Sequence, residues 1–551
     1  SFVSKNRLLL GPWQAFERTL ARILQHGGFS DVQLVGGSGD QGADVVAMKG
    51  QKRWVIQAKY RNSGAVGRYA VAESYNALNA YKADVSVTST NQYFSDDAMK
   101  YRNDKVNIGF DLRLWDHNML EDLGVKLPEI SKAVRTPRPY QKEAIDAVMA
   151  SIKAGNNSGL ITLATGLGKT MVAASVISEY LEEIPNANIL VLAHMSDLVR
   201  QLDIACWPQF HKGIDTHVWT DGEKPAFYEG IIFATWQSVD AYISTGNSLE
   251  NHFDLIIIDE AHHAPSNSFS SLINYLNPKY LLGVTATPWR TDGVNLRELF
   301  GEPLFSMSVV EGMQKGFLSK VDYEMLTDGI NWNHISDLSE KGLTIKDLNQ
   351  LLYIPERDIG LVGRVVEEIN KIRNPRTLVF CRSIKHAEKL LNYFRGYDLP
   401  TAILHSRLGR TERFQALTNF RTGKIKVLIS IEMLNEGIDV PEVNLVCFAR
   451  VTHSRRIFLQ QLGRGLRLSD DKESVKVLDF VADIRRIAAG VEMNNEARRN
   501  KTTEIVNYPD GNIVYFSSEA EGFFDEYLKD MANISDLDED SKLTFPRSNY
   551  D

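Results

Sequence analysis

Residues 159–174 read GLITLATGLGKTMVAA. A short apolar run breaks at a glycine-bearing turn, passes through Lys169 and Thr170, and continues as small and apolar residues at helical spacing. That order predicts a buried strand, a loop and a helix. The loop's backbone N–H groups and the helix N-terminus form a ready cradle for phosphates. Thr165, Gly166 and Gly168 build the cradle, Lys169 reaches the outer phosphates, and Thr170 ligates magnesium. Leu163 stands where the strict GxxxxGK[ST] pattern has its first glycine, so ATGLGKT is the working part. About 90 residues on, LIIIDEAHH (255–263) ends an apolar strand in two adjacent carboxylates. Asp259 is suited to hold magnesium, and Glu260 to orient or deprotonate the attacking water. His262 and His263 suggest a metal by themselves, but their neighbours favour the nucleotide reading.

Outward from this pair the chain alternates strand and helix: NILVLAH then SDLVRQL, YLLGVTATP, and later RTLVFCRS, KHAEKLLNYF, KIKVLIS and SVKVLDFVAD. Short, wholly apolar strands separated by helices predict parallel sheets covered on both faces. The fold class is therefore α/β. Two similar α/β units in tandem suggest two ATPase-type lobes, with a polar interruption near 305–360 and a polar, acidic C-terminal extension expected to be helical with a loose end. RTPRPYQ (135–141) marks a boundary with a smaller α/β unit ahead of it. The expected division is 1–125, 126–310 for lobe one, 311–360 between the lobes, 361–490 for lobe two and 491–551 as the extension.

The bulk numbers allow this. The 551 residues suffice for several domains, with 43% hydrophobic and 24% charged residues. No apolar run has the length of a bilayer span, so no membrane is expected. Cys206, Cys381 and Cys447 are scattered, which suits a reducing cytoplasm and argues against a zinc site. A net charge of −8 does not advertise nucleic acid, although a basic channel can coexist with acidic outer surfaces.

Residues 137–482 resemble a superfamily 2 helicase or translocase of the DEAH type and are similar to the group that includes restriction-enzyme helicase subunits and XPB-like proteins, which implies two tandem RecA-like lobes. RPYQKEAI (138–145) matches the adenine-sensing segment, which implies Gln141 as the contact. TATP (285–288) matches the motif that couples hydrolysis to movement. LNEGIDVPEV (434–443) supplies Gly437 and Asp439, and QQLGRGLR (460–467) assigns Arg464 and Arg467 to the γ-phosphate. Such arginine fingers are worth roughly a thousandfold or more in turnover. The resemblance also implies nucleic-acid contacts from AHMSDLVRQ, FATWQS, CRSIKHAEK, His405 and Ser406. Contacts to the phosphate backbone carry strong salt dependence and little sequence preference.

In the first unit, WQAFERTLARILQHGGF begins as an amphipathic helix with Trp13, Phe16, Leu20, Ile23 and Leu24 on one face. GDQGADVVAMKGQKRWVIQAK (39–59) then reads as two strands joined by a turn at Gly50. Gln57 and Lys59 share one face of the second strand, because residues two apart point the same way. This stretch resembles the Mrr-like branch of the PD-(D/E)xK nucleases, in which a GxGDxGxD segment precedes QxK. The resemblance implies a magnesium site from Asp44 and Gln57, with the Ala58 carbonyl and Glu17 beside them, and Lys59 for water positioning and phosphate charge. An ordinary polar hairpin face is the bland alternative.

The expectation is an ATP-hydrolysing DNA helicase or translocase with a magnesium-dependent endonuclease, using ATP and Mg2+. It would act on DNA in restriction or antiphage defence, with other subunits of such a system as possible partners. The rivals are a sensing or remodelling ATPase whose first domain only docks DNA or partners, and a repair helicase-nuclease.

Overall fold

The computed structural model describes residues 2–36, 42–261, 267–286, 296–307, 311–312, 315–326, 344, 357–381, 383–405, 407–431, 442–449, 474–480 and 513–516. Two compact units emerge: one comprises 1–163, 168–306 and 409–411, the other 164–167, 307–408 and 412–551.

The first unit begins with α1 (Lys5–Leu10) and α2 (Trp13–His26), followed by a five-stranded sheet. The strands are β1 (Ser30–Leu34), β2 (Val45–Lys49), β3 (Lys52–Lys59), β4 (Val85–Thr90) and β5 (Asp111–Trp115), in that spatial order. β1, β2 and β3 run antiparallel, whereas β3, β4 and β5 are parallel and connected by α3 (Arg68–Ala80) and α4 (Asp96–Asn107). The β2–β3 turn uses Gly50 at φ +60°, a left-handed conformation that a two-residue hairpin needs and glycine adopts without strain. α5 (His117–Lys126) closes this domain.

Alternation along β3 sorts its side chains. Trp54 and Ile56 enter a core with Phe16, Leu20 and Leu24 of α2, while Lys59 reaches Glu73 on α3. Burying each large apolar side chain stabilises by about 1.5–3 kcal/mol, so the α2 stripe holds helix to sheet. Two features of α2 depart from its amphipathic reading. Trp13 is 53% exposed, and Arg18 and Arg22 are buried. A second face of the helix is covered by the next domain, whose Trp207 joins this same core.

That next domain has α6 (Pro139–Lys153), α7 (Lys169–Glu183) and α8 (Ser196–Cys206) around a seven-stranded sheet. Its strands are β6 (Ser158–Leu163), β7 (Ile189–Ala193), β8 (Thr216–Trp219), β9 (Ile231–Thr235), β10 (Leu255–Asp259), β11 (Tyr280–Thr285) and β12 (Pro303–Met307). The spatial order is β12-β6-β11-β10-β7-β9-β8, parallel from β6 to β8. Their near-continuous burial accounts for the apolar runs in the sequence.

The second unit holds another seven-stranded sheet. β13 (Lys320–Leu326), β14 (Thr377–Phe380), β15 (Thr401–Leu404), β16 (Val427–Ser430), β17 (Leu445–Phe448), β18 (Ser474–Phe480) and β19 (Ile513–Phe516) lie in the order β15-β16-β14-β17-β18-β13-β19. Two strands come from segments whose sequence reads otherwise. β13 lies in the polar interruption and pairs parallel to β18, and β19 from the extension pairs antiparallel to β13. In KVDYEML, apolar residues alternate with charged ones, which is a strand pattern that lowers mean hydropathy without abolishing periodicity. Among the described residues no helix is long and apolar enough to cross a membrane.

Candidate functional site

Three neighbouring parallel strands, β6, β11 and β10, deliver their C-terminal ends to one edge of the sheet, where open α/β folds bind ligands. The chain leaves β6 through the loop and enters α7 at Lys169. Gly166 and Gly168 have φ of +93° and +84°. Gly168, the α7 N-cap, is left-handed, and a Cβ there would also collide with the Gln141 side chain. Gln141 Oε1 accepts the Arg138 N–H at 2.8 Å, so this residue ties the start of α6 to the phosphate loop.

Lys169 Nζ lies 2.9 Å from Glu260 Oε1. Burial, and after it the charge of Glu260, pushes the Asp259 carboxyl up to about 7. Glu260 has φ +48°, a left-handed conformation that costs a non-glycine residue about 1 kcal/mol or more and is typical of functional turns. Two crowded carboxylates beside a lysine and the α7 N-terminus suit phosphates with a divalent cation, which relieves that crowding. Thr170 and Asp259 fit the cation and Lys169 the phosphates. Thr285 ends β11 fully buried.

On the same sheet, a cleft of about 520 Å³ is lined by His194, Met195, Ser196, Asp197, Thr235, Gln237 and Ser238, with Thr220 and Asp221. The two lobe-one segments singled out as nucleic-acid contacts therefore meet. α8 and the helix Trp236–Ser244 both begin at this cleft without a side-chain cap, and first-turn N–H groups, which have no carbonyl partner within a helix, suit phosphate oxygens. The third contributor, from WTDGE, is absent from the sequence reading. Asp221 accepts from Ser196 Oγ at 2.7 Å and Arg200 Nη1 at 3.0 Å. An Asp-Gly pair signals a turn, and a turn by itself has no function attached.

The third constellation lies where β3 passes the residues before β2. Asp44 Oδ2 accepts the Gln57 Nε2–H and the Ala58 N–H, both at 2.6 Å. Gln57 presents its nitrogen to the carboxylate, and rotating the amide would present its oxygen to a cation. A Cβ on Gly36 would lie 2.7 Å from Asp44 Oδ1 and 3.2 Å from Glu17 Oε2, so the two acids converge beside a residue that leaves them room. This donor set, two carboxylates with amide and backbone oxygens, fits a hard divalent cation. Among the described residues no cluster of three histidine, cysteine or acidic side chains has metal-site geometry, so the amide would have to complete the set. Gly42, at φ +84°, passes so close to the Glu73 backbone carbonyl that no side chain fits. Lys59 Nζ pairs with Glu73 Oε2 at 2.6 Å. Glu73 escaped the sequence reading because a helical glutamate without a motif looks like a solvated face.

In the second unit, Ser383 caps the helix Ile384–Arg395 by accepting the His386 N–H. His386 and Lys389 both contact Asp358, at 3.1 and 2.7 Å, and hold its carboxyl down to about 2. Those two side chains of CRSIKHAEK thus have a packing role. His405 Nδ1 accepts the Arg407 N–H at 3.2 Å. Gly437, Asp439, Arg464, Arg467, Ser406, Asp40, His262, His263, Thr287 and Pro288 lie outside the described residues.

Residues 11–123 match the family model described as restriction endonuclease. Residues 135–290 match type III restriction enzyme, res subunit, and 360–469 match the helicase conserved C-terminal domain. The "DNA 3'-5' translocase XPB2" of Sulfurisphaera tokodaii is 28% identical across 62% of this chain and 80% of its own. The "Type I restriction enzyme EcoAI endonuclease subunit" of Escherichia coli is 28% identical across 63% of this chain and 46% of its own. "Putative ATP-dependent helicase IRC3" of Saccharomyces cerevisiae is 25% identical across 62% and 51%. Of two of these three relatives, then, the chain spans about half the length. Among solved structures, "ATP-dependent Type ISP restriction-modification enzyme LlaBIII bound to DNA" aligns with 96% of this chain and 42% of that one, at TM-score 0.52 and 16% identity, a likeness of fold.

Proposed function

We propose that this chain, which joins a restriction endonuclease domain to the two domains of a helicase, is an ATP-driven DNA translocase that cuts DNA with Asp44, Gln57 and Lys59 and serves in the restriction of foreign DNA. The observation that carries the reading is the convergence of Glu17 and Asp44 beside Gln57, on the strand that also bears Lys59, in one chain with the Lys169–Glu260 nucleotide site.

In the motor, Lys169 exchanges Glu260 for the outer phosphates of ATP, which frees Glu260 to orient the attacking water. Thr170 and Asp259 would hold the magnesium ion, and Arg464 and Arg467 serve the γ-phosphate as fingers. Gln141 contacts the adenine, and Gly437 and Asp439 serve the lobe-two side of the nucleotide. The cleft at Ser196 and Thr235 takes the DNA backbone through helix N-termini. In the nuclease, Asp44, Glu17 and the Gln57 oxygen would hold Mg2+, which would supply positive charge against the scissile phosphate. Lys59 positions the attacking water and offsets charge that develops on the phosphate. Glu73 holds Lys59 on the strand face where Gln57 also lies.

The docking-module reading has one observation in its favour: Asp44 is already satisfied by Gln57 and Ala58, and Lys59 by Glu73. Incubating purified protein with linear and circular DNA, with Mg2+ and with or without ATP, separates the two. The nuclease reading expects cleavage that Asp44→Ala removes, and DNA left whole by wild-type protein with an active ATPase sinks it.

A further inference from the structure

Arg18 follows Glu17 on α2 and is 8% exposed in its side chain. Its Nη1 lies 2.6 Å from Glu223 Oε1 and its Nε 3.3 Å from Asp203 Oδ2; those carboxylates are 1% and 0% exposed. Asp203 also accepts the Trp207 indole N–H at 2.7 Å. Nearby, Arg7 donates to the Thr216 carbonyl at 2.6 Å, and the Arg22 guanidinium lies 4.1 Å from the Phe2 ring. The seam between the nuclease domain and lobe one is therefore rich in buried charge. Buried ion pairs are poor glue, since apolar residues of similar volume commonly hold as well or better. A seam of this kind needs a reason other than adhesion.

The two carboxylates that grip Arg18 sit on elements that also reach the cleft, Glu223 on the turn that holds Thr220 and Asp221, and Asp203 on α8, whose first residues are Ser196 and Asp197. Glu223 closes a four-residue turn with Thr220, N–H to carbonyl in both directions at 3.1 and 2.9 Å. Inside that turn Asp221 and Gly222 are left-handed, at φ +50° and +79°. Thr220 and Asp221 line the cleft, where Asp221 occupies Ser196 and Arg200. Asp203 is one helical turn beyond Arg200 on α8. Arg200 thus reads Asp221 while Asp203 reads Arg18. DNA phosphates entering the cleft would compete with Asp221 for Ser196 and Arg200, and an Asp221 set free would loosen both the turn and α8.

We infer that Arg18 is a positioning residue, gripped by Glu223 and Asp203, through which occupancy of lobe one's nucleic-acid cleft sets α2 and hence the alignment of Glu17 in the nuclease site. This rests on the proposed cutting role of residues 11–123 for its consequence, but not for its first readout. The pathway has two arms, the 220–223 turn and α8, and both end on one guanidinium.

The test uses the full chain and a duplex oligonucleotide with a single-stranded tail, plus a non-hydrolysable ATP analogue. Hydrogen exchange across residues 13–26 should change when the oligonucleotide is added to wild-type protein. In Glu223→Gln that response should vanish, while the protein keeps a cooperative melt, at a lower midpoint because a buried ion pair has lost one charge, and ATP hydrolysis stays within about twofold. Cleavage at saturating DNA should fall at least about fivefold, the scale of a coupling free energy between sites, with half-saturation by DNA moved by no more than that factor. Asp203→Asn, which reaches Arg18 by the α8 arm, gives the same outcome if Glu223→Gln fails to fold. An α2 response that survives in the folded variants, or that is absent from wild-type protein, overturns the inference. If wild-type protein cuts nothing, the nuclease reading falls alone, and the α2 response still decides this one.

Discussion

The proposed nucleotide site and the proposed nuclease site each tie a lysine to a glutamate, Lys169 to Glu260 at 2.9 Å and Lys59 to Glu73 at 2.6 Å, yet they are built in opposite ways. The first is mostly backbone: left-handed glycines, a helix N-terminus and the ends of parallel strands, with few side chains added. The second is mostly side chains, brought from α2, the residue before β2, β3 and α3. A backbone cradle survives most single substitutions in its surroundings. A side-chain cluster depends on every member and on whatever holds each member still. The two sites should therefore fail differently.

The largest expected effect sharpens that contrast. Lys169→Ala should bring DNA-stimulated ATP hydrolysis to background with melting temperature unchanged, because the lysine carries charge to phosphates while the loop's shape comes from the backbone. Normal turnover in that variant, measured by phosphate release, breaks the motor account. Next, Asp44→Ala should abolish magnesium-dependent cleavage and leave ATP hydrolysis within about twofold, since removing a cation's anionic ligand does not disturb the separate strand ends at β6 and β10. Gel analysis of cut DNA alongside phosphate release checks both halves.

A smaller effect belongs to Glu73→Gln. It touches Lys59 and not the acids, so cleavage should fall by about 10–100-fold, the usual loss when a supporting residue of a metal site is removed. Glu73→Asp should recover part of the rate, and cleavage at the wild-type rate in Glu73→Gln removes Glu73 from the site.

How much of this was legible follows from the same difference in construction. The phosphate loop and the Asp259–Glu260 pair are contiguous in sequence, because strand, loop and helix follow one another along the chain, and so they read directly. Gln57 and Lys59 were legible as one strand face, and the β2–β3 turn at Gly50 came out as expected. Glu73, Thr220 and Asp221 were not legible, because sheet order and not sequence order brings them to their sites. Arg18 and Arg22 read as the polar face of an amphipathic helix; only a second packed surface against Trp207, Asp203 and Glu223 reveals why they are buried. β13 was missed where charged residues masked a period of two, and β19 because its apolar run, IVYF, is only four residues long in a polar segment.

The smallest effect is a pH dependence at that surface. Burial, and then the charges of Arg7 and Arg18, lower His217 to about 3 from a usual value near 6.5. Its Nδ1 accepts from Arg7 Nη1 at 3.0 Å, which keeps the ring neutral. With the folded value depressed, only the unfolded chain takes up this proton as pH falls below about 6.5. Stability is then lost progressively down to about 3. His217→Asn should flatten the fall in melting temperature between about pH 6.5 and 5 by a few degrees; identical pH profiles for both proteins would count against a neutral, buried ring.

The most direct test of the proposal that this chain has two separable active sites is a paired assay on one DNA substrate with ATP and Mg2+, scoring strand cleavage and phosphate release together. Wild-type protein should do both, Lys59→Ala should hydrolyse ATP and leave the DNA whole, and Lys169→Ala should hydrolyse none. Cleavage by Lys59→Ala at the wild-type rate, or a wild-type protein that hydrolyses ATP but never cuts in Mg2+ or Mn2+, would contradict the account.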